Sequence, residues 1–392
     1  MSGMHGTLIL AGFVAWVGHA CIWTSVLNNL YGRPLPKQFL RPWRYVTGLI
    51  ILLFPLFACF GRRDNDPEQP GRPGSLRLVS YGYGVLCLAV GGVLFPMITI
   101  GRLSRRRPRA FVAETTRTWD LWPELGRELL GDGLLAGAAR LPGNGLFRID
   151  LTDLTLTPKG LPPEWDGLSV LLLSDPHFHG TPSRVFFDRL TEQLLTRPAA
   201  DLVCLLGDYV DTDRHHDWIG PVFGRLTATH GKFAVLGNHD EHHQPDRVRA
   251  ELRAAGYTVL GNNWTVATVR GVPCVVIGHE GPWFTPAPDL AAAPTGLFRL
   301  CLSHTPDNFY WAVANRVQLM LSGHVHGGAI RAPLVGSIFV PSLYGRRFDQ
   351  GVFEKGETTM VVGRGLSGKE PIRFRCNPQV IWLRLVRPGR PA

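Results

Sequence analysis

The segment LSVLLLSDPH, residues 168–177, passes from a run of apolar side chains directly into an acidic and an imidazole side chain. A short apolar run of this kind is typical of a strand that is buried on both faces of a sheet. Asp175 and His177 therefore stand just beyond the carboxyl end of a predicted strand. The same succession recurs along the chain, and this recurrence predicts the fold class.

Further apolar runs follow downstream, and helical stretches lie between them. The runs are Leu202–Leu206, Phe233–Leu236, Cys274–Ile277, Leu297–Leu302 and Val317–Leu321. The alternating stretch FRIDLTDLTLT predicts one more, half-buried strand, whereas SRVFFDRLTEQLLTR and PDRVRAELRAAG predict helices. Buried strands that alternate with helices indicate a layered α/β domain with a substantial sheet core, which we place at residues 146–392.

Almost every apolar run ends in a cluster of side chains that can bind metal. Besides DPH, the chain reads GDYVD at 207–211, GNHD at 237–240, SH at 303–304 and GHVH at 323–326. Open α/β sheets bring the carboxyl ends of their strands to one crevice, so we expect these side chains to converge. Their oxygen and nitrogen atoms suit divalent Mn, Fe, Zn or Mg. The candidate ligands are Asp175, His177, Asp208, Asn238, His304, His324 and His326.

These candidates are too many for one ion, and they fit two ions that share a carboxylate. Two cations ~3.5–4 Å apart clamp phosphoryl oxygens, acidify a bridging water and stabilise the charge that develops in the transition state. They also screen the repulsion between hydroxide and an anionic ester. The sequence therefore predicts a hydrolase of phosphate esters.

In their order and approximate spacing, DPH, GDYVD, GNHD, SH and GHVHGG resemble the five sequence blocks of the calcineurin-like metallophosphoesterase superfamily, over about residues 146–385. The resemblance implies a layered β-sandwich flanked by helices. It implies that one metal ion is held by Asp175, His177 and His326, and the other by Asn238, His304 and His324, with Asp208 bridging them. It further implies that His239 contacts the phosphate and protonates the leaving oxygen, and that Asp211 orients this imidazole.

More narrowly, SDPHFHG, GHVHGGAIRAPLVG and the closing PIRFRCNPQV resemble a bacterial, membrane-associated branch of the superfamily. That branch includes small phosphodiesterases and the UDP-2,3-diacylglucosamine hydrolases of lipid A synthesis. The resemblance implies cleavage of a phosphodiester or pyrophosphate, with a lipid-linked nucleotide such as UDP-2,3-diacylglucosamine as the specific expectation. Where that branch has GGQ-x-R, this chain reads Gly327-Gly328-Ala329-Ile330-Arg331, so the Gln is absent.

The first 110 residues contain three apolar stretches without any Asp, Glu, Lys or Arg. They are Thr7–Leu27, Tyr45–Gly61 and Leu78–Gly101, each close to the ~17–25 residues that a spanning helix needs. We therefore predict a membrane region with three transmembrane helices at 1–110. Residues 111–145 are interpreted as a linker, or as an amphipathic segment along the membrane surface. We expect His19, a lone neutral His in the first span, to be tolerated without a function.

The net charge of +10 belongs to the membrane region. Residues 1–110 hold thirteen Lys/Arg and three acids, and the rest of the chain holds 28 basic and 28 acidic residues. This distribution argues against nucleic acid as a partner. An outside N-terminus places nine of the flanking Lys/Arg inside and four outside, which favours a cytoplasmic catalytic domain. We expect a multi-pass protein of the bacterial inner (cytoplasmic) membrane, with membrane lipids as partners.

Two other hypotheses stay open from the sequence. One is a phosphodiesterase or phosphatase of soluble substrates. The other is a membrane sensor that binds metal without catalysis; this hypothesis predicts erosion of the blocks, yet every candidate ligand and both candidate catalytic residues are present. Other histidines near the blocks either line the substrate entrance or lie in solvated loops: His179, His215, His216, His242 and His243.

Overall fold

The structure is a computed structural model, and it describes residues 2–63 and 74–388. The chain forms two compact units, one centred on Met1–Arg106 and the other made of Arg107–Ala332 and Gly336–Ala392. The helices are α1 (Ser2–Tyr31), α2 (Lys37–Arg63), α3 (Gly74–Ala89), α4 (Phe95–Leu103), α5 (Trp122–Leu125), α6 (Arg184–Leu195), α7 (Ile219–Phe223), α8 (Pro245–Ala254) and α9 (Phe309–Ala314). A π-helical turn, Val90–Leu94, joins α3 to α4.

The first unit consists of long apolar helices, as predicted. Among the described residues, three helical segments are long and apolar enough to cross a membrane: His5–Tyr31, Lys37–Leu56 and Val79–Leu103. α1 and the third segment pack closely at two glycines. A Cβ atom on Gly18 would collide with the carbonyl oxygen of Cys87, and one on Gly91 with the carbonyl oxygen of Val14. Small residues at such crossings let membrane helices approach each other.

His19 is buried within this helical unit, and both of its ring nitrogens have partners. Nδ1 lies 2.7 Å from the hydroxyl oxygen of Tyr83, and Nε2 lies 3.2 Å from the carbonyl oxygen of Ile50. The indole N–H of Trp23 donates to the same hydroxyl at 3.1 Å. The imidazole also stacks on Phe54, with ring centroids 4.1 Å apart. Apolar surroundings require polar atoms to be satisfied internally, and here they are.

The second unit is built on strands. They are β1 (Phe111–Asp120), β2 (Arg148–Leu156), β3 (Leu168–Leu173), β4 (Ala200–Leu205), β5 (Ala228–Ala234), β6 (Thr258–Val259), β7 (Trp264–Val269), β8 (Val272–His279), β9 (Phe298–Ser303), β10 (Leu319–Ser322), β11 (Arg331–Ala332), β12 (Gly336–Ser337), β13 (Gly351–Lys355), β14 (Thr358–Val362) and β15 (Gln379–Leu385). One sheet has the order β1-β2-β15-β3-β4-β5-β6 and the other the order β13-β14-β10-β9-β8-β7, while β11 and β12 form a separate hairpin. β3 to β6 are parallel to one another, as are β8, β9, β10 and β14.

The two sheets enclose one hydrophobic core, and β3 shows why its sequence is apolar throughout. Val170 and Leu172 pack between the sheets, where they meet Val276 of β8. Leu171 and Leu173 point to the other face and pack with the residues of α6, α7 and α8. Side chains alternate across a strand, so a strand that is covered on both faces needs an uninterrupted apolar run. The predicted layered β-sandwich flanked by helices is confirmed.

The second unit begins before the predicted boundary at residue 146. Phe111–Asp120 forms β1, which pairs antiparallel with β2 and is the edge strand of the first sheet. Residues 111–120 are therefore part of the sheet, not a linker or an amphipathic segment along the membrane surface. Most of β1 is exposed, which explains why it lacks the apolar run by which the inner strands were predicted. The chain then crosses to β2 through short helical turns fixed by the buried side chains of Leu121 and Leu129.

Candidate metal centre

All seven predicted ligands lie together, just beyond the carboxyl ends of parallel strands. The first sheet contributes Asp175 and His177 after β3, Asp208 after β4 and Asn238 after β5, and the second sheet contributes His304 after β9 and His324 and His326 after β10. The two sheets run their parallel strands to the same end of the sandwich, so the ligands converge there. This is the crevice in which open α/β sheets place their sites.

The first group contains Asp175, His177, Asp208 and His326, whose ligand atoms all lie within 4.8 Å of one another. The Nε2 atoms of His177 and His326 face each other at 3.2 Å. Nδ1 of His177 lies 3.0 Å from a carboxylate oxygen of Asp211. That contact fixes the proton on Nδ1 and leaves the lone pair of Nε2 directed into the group.

The second group contains Asp208, His304 and His324. Nε2 of His304 lies 3.2 Å from Nδ1 of His324 and 3.1 Å from the side-chain oxygen of Asn238. On the other side of the ring, Nδ1 of His304 bonds the carbonyl oxygen of Leu206 at 2.6 Å. With the ring neutral, Nε2 of His304 thus presents a lone pair to the oxygen of Asn238. Two acceptors at this distance require a proton or a cation between them.

Asp208 belongs to both groups. Its Oδ2 atom lies 3.5 Å from Nε2 of His177 and 3.4 Å from Nε2 of His304. Its Oδ1 atom accepts the backbone N–H of His239 at 2.8 Å, which holds the carboxylate in place. One carboxylate oxygen between two imidazole groups fits a binuclear metal site with a shared ligand. The donor set is all oxygen and nitrogen, as divalent Mn, Fe, Zn or Mg would accept.

The electrostatics of the centre favour cations. Burial alone would lower the pKa of His177 and His304, but carboxylates outweigh it, chiefly Asp211 for His177 and Asp208 for His304, and raise both pKa values to about 9. Burial would likewise raise the pKa of Asp208, but the imidazoles of His304, His239 and His177 hold it well below its usual range. Asp208 is therefore ionised, whereas burial raises the pKa of Asp175. Metal ions would bind in competition with protons on the imidazoles.

The ligands sit on unusual backbone. Five of them have left-handed φ values: Asp175 (53°), His177 (47°), Asp208 (58°), His324 (69°) and His326 (52°). Residues other than glycine rarely adopt this region, at a cost on the order of 1–3 kcal/mol each, and such strain clusters at functional sites. The neighbouring glycines are needed for space, because a Cβ atom on Gly237 would collide with the Asp208 carboxylate and one on Gly323 would lie 2.6 Å from Oδ2 of Asp175.

Asp211 lies between two imidazoles. One of its oxygens bonds Nδ1 of His177, and the other bonds Nδ1 of His239. The two rings are almost perpendicular, with centroids 4.6 Å apart. Burial would raise the pKa of Asp211, but the imidazoles of His239 and His177 hold it well below its usual range. An ionised Asp211 therefore orients both rings, whereas the resemblance implied this role only for His239.

A buried carboxylate that was not predicted joins two of the loops. Asp240 accepts backbone N–H bonds of 2.8–3.2 Å from Asp208, Tyr209, Val210 and Gly237. It thereby fastens the GDYVD loop to the GNHD loop. Burial, together with the nearby charge of Asp208, raises the pKa of Asp240 to about 7. Its place as the last residue of GNHD was the available sequence signal.

A second unpredicted residue is Arg373, whose side chain is fully buried. Its guanidinium donates to the carbonyl oxygen of His326 at 2.9 Å and to that of Ser367, and it lies 3.1 Å from Nδ1 of His326. The closing stretch of the chain thus positions His326, a predicted ligand, through contacts with its backbone and with Nδ1. The closing PIRFRCNPQV stretch carries part of the resemblance, but nothing in it singled out Arg373.

The other nearby histidines differ from one another. His179 is partly buried beside the centre, with Nε2 3.1 Å from the carbonyl oxygen of Gly368, and burial lowers its pKa. His216 is fully buried between backbone carbonyl oxygens, so neither a substrate entrance nor a solvated loop describes it. His215 packs against Trp218, with ring centroids 4.6 Å apart. The side chains of His242 and His243 are more exposed.

Known proteins are similar to this chain in sequence. The family model described as calcineurin-like phosphoesterase matches residues 168–328. An uncharacterized metallophosphoesterase of Bacillus subtilis (strain 168), YkuE, is 30% identical over 268 residues, which cover 63% of this chain and 92% of the relative. The chain belongs to the calcineurin-like metallophosphoesterases. It is a metal-dependent hydrolase of phosphoric esters, with buried His and Asp clusters that fit a binuclear metal site.

Two further relatives extend the comparison. Phosphodiesterase YaeI of Escherichia coli (strain K12) is 31% identical over 223 residues, which cover 55% of this chain and 82% of the relative. A transmembrane protein with metallophosphoesterase domain from Danio rerio is 24% identical over 384 residues, 90% of this chain and 82% of the relative. The second match is long enough to reach into the helical unit. The narrower resemblance to the UDP-2,3-diacylglucosamine hydrolases stays a prediction.

Proposed function

We propose that this metallophosphoesterase is a membrane-anchored dimetal phosphodiesterase that cleaves the phosphodiester or pyrophosphate bond of a lipid-linked substrate, such as UDP-2,3-diacylglucosamine. The observation that carries the proposal is the pair of ligand groups that share Asp208. The three apolar helices of the same chain support the lipid-linked substrate, because an anchored site stays within reach of the bilayer. The distribution of Lys and Arg favours a site on the cytoplasmic side.

The ligand groups define which residues would hold which cation. Asp175, His177 and His326 would hold one, Asn238, His304 and His324 the other, and Asp208 both. When bound, the two cations polarise the phosphoryl group and supply a nucleophile by lowering the pKa of water. The contacts of Asp240 hold the loops of Asp208 and Asn238 together before any cation arrives, so little reorganisation of these two ligands is needed on binding.

His239 performs the proton transfer in this proposal. Asp211 holds its Nδ1, so Nε2 is the atom left to meet the substrate. The side chain of His239 is partly exposed, whereas that of Asp211 is buried, so His239 is the member of the pair that a substrate can reach. It protonates the leaving oxygen as the ester bond breaks, a role in which a positioned imidazole contributes on the order of 10²–10⁴-fold.

The direct test compares hydrolysis of bis-p-nitrophenyl phosphate, with Mn²⁺ added, by the full chain and by Asp208→Asn. We expect the variant to lose about 10³-fold in kcat and to retain fewer metal ions per chain. Asp201→Asn is the matched control, because Asp201 lies in the strand that Asp208 follows and pairs with Arg270 away from the centre. Full activity in Asp208→Asn would contradict the bridging role.

A substrate screen tests the finer part of the proposal. Wild type in detergent micelles is offered UDP-2,3-diacylglucosamine, cyclic nucleotides and phosphopeptides, and the released headgroup is identified by mass spectrometry. Preferential turnover of the lipid-linked nucleotide supports the proposal. Preferential turnover of a soluble ester favours a soluble-substrate phosphodiesterase or phosphatase, and no turnover of any ester with metal bound favours a sensor.

A further inference from the structure

The second unit exposes apolar side chains beside the metal centre. Three of them lie between β1 and β2: Leu134 is 99% exposed, Leu135 48% and Leu141 47%. Two more flank the β11–β12 hairpin, where Ile330 is 43% exposed and Ile338 46%. We call these five residues the apolar rim. Single exposed leucines are ordinary, but a cluster of them beside a site marks an interaction surface.

The two parts of the rim lie on either side of one residue. Phe374 forms an isolated β-bridge with Asn144 and another with Ile330. The main-chain amides of Arg331 and Gly145 also bond the carbonyl oxygens of Phe374 and Arg373. The chain that carries the three leucines and the hairpin that carries the two isoleucines are therefore neighbours on one surface.

The rim is attached to the loops that carry two of the metal ligands. On one side, the hydroxyl of Thr181 donates to the carbonyl oxygen of Leu130 at 2.6 Å, and Thr181 follows His177 by four residues. On the other side, Ile330 follows His326 by four residues. The Nε2 atoms of His177 and His326 are 3.2 Å apart, so the two loops to which the rim is connected meet at the centre.

Cationic side chains accompany the apolar ones. Arg140 directly precedes Leu141, Arg375 directly follows Phe374, and both arginines are exposed. Apolar side chains interspersed with arginines are typical of surfaces that enter the bilayer interface, where the apolar groups reach the acyl chains and the guanidinium groups meet anionic phosphates. We favour a bilayer over a soluble partner protein, because the same chain carries three helices that are long and apolar enough to cross a membrane.

The connection to the membrane helices is short. Seven residues, Ser104–Ala110, separate the end of α4 from the start of β1. At ~3.3–3.6 Å per residue this segment spans no more than about 30 Å, even when fully extended. A tether of this length raises the effective concentration of lipid at the rim, so a small affinity of the rim for lipid would be enough for docking.

We propose that the apolar rim docks the second unit on the surface of an anionic lipid bilayer, so that the side of the metal centre bordered by His177 and His326 opens toward the membrane. A phosphate ester on a lipid then reaches the centre while its acyl chains remain in the bilayer. The docking is argued from the residues of the rim alone. Its role in catalysis rests on the proposed function.

Photo-crosslinking tests the docking in the full chain. We would place p-benzoylphenylalanine at position 134, 330 or 338 and reconstitute the protein in phosphatidylcholine vesicles with and without phosphatidylglycerol. We expect lipid adducts at all three positions, and more of them with phosphatidylglycerol. Val266 on β7 is the matched control, because it is 45% exposed, as Ile338 is at 46%, and lies on the edge of the second sheet. Absent adducts at the rim, or equal adducts at position 266, would overturn the docking.

Two variants separate docking from catalysis. Arg140→Gln with Arg375→Gln should abolish the preference for phosphatidylglycerol. Leu134→Ser with Ile338→Ser should keep hydrolysis of bis-p-nitrophenyl phosphate in detergent and lower turnover of vesicle-embedded UDP-2,3-diacylglucosamine about tenfold. If the wild type hydrolyses neither ester, the proposed function fails while the adducts still report docking. If it hydrolyses both and forms no rim adducts, docking fails alone.

Discussion

His19 in the helical unit and His304 in the metal centre are both buried imidazoles, yet their partners differ. The ring nitrogens of His19 meet a hydroxyl and a carbonyl oxygen, so its hydrogen bonds are complete within the chain. His304 also has one nitrogen on a carbonyl oxygen, but its other nitrogen faces an amide oxygen, an imidazole and a carboxylate. Both side chains are buried, so burial does not distinguish them. What distinguishes a ligand from a structural histidine is the partner of the second nitrogen.

The largest effect should come from exchanging His304 for an amide side chain. His304→Gln removes the nitrogen that faces Asn238, His324 and Asp208, so we expect one of the two metal ions to be lost and kcat to fall about 10³-fold. Metal content by inductively coupled plasma mass spectrometry and turnover of bis-p-nitrophenyl phosphate are the measurements. Unchanged metal content would show that His304 is not a metal ligand and would contradict its contrast with His19.

The next effect concerns the pair formed by Asp211 and His239. Asp211→Asn should lower kcat about 10²-fold for an alkyl phosphodiester, because the imidazole loses the charge that orients it as an acid. The loss should be much smaller for bis-p-nitrophenyl phosphate, whose leaving group departs without a proton. Equal losses for both esters would mean that Asp211 acts on metal binding through His177 and not on proton transfer.

These predictions depend on residues that the sequence identified to different degrees. The inner strands could be predicted because a strand that is covered on both faces carries apolar side chains on both, which gives an uninterrupted apolar run. The ligands could be predicted because each of them follows such a run. β1 was missed because an exposed edge strand has no such constraint. Asp240 and Arg373 were missed because their role is to bond backbone atoms of distant loops, and only the folded chain brings those atoms to them.

Replacing Arg373 should have a smaller effect, confined to the second unit and its metal centre. Arg373→Met removes the guanidinium that donates to the carbonyl oxygens of His326 and Ser367, and we expect a loss of about 1–3 kcal/mol in the free energy of unfolding of the second unit. Because the ring of His326 is then less firmly held, half-maximal activity should require about tenfold more Mn²⁺. Arg373→Lys should restore part of both. A variant that loses stability but keeps the same Mn²⁺ requirement would show that Arg373 does not position the ligand.

The smallest effect on catalysis should come from His19 in the helical unit. His19→Phe replaces the imidazole with a ring that can still stack on Phe54, and it leaves the hydroxyl of Tyr83 with the indole N–H of Trp23 as a donor. Hydrogen bonds between membrane helices contribute only about 0.6 kcal/mol on average, so we expect a modest loss of stability in detergent. Turnover and metal content should match the wild type, since no ligand atom is removed. A fall in metal content in His19→Phe would show that the helical unit holds part of the metal centre, and the contrast between the two buried histidines would then no longer separate structure from function.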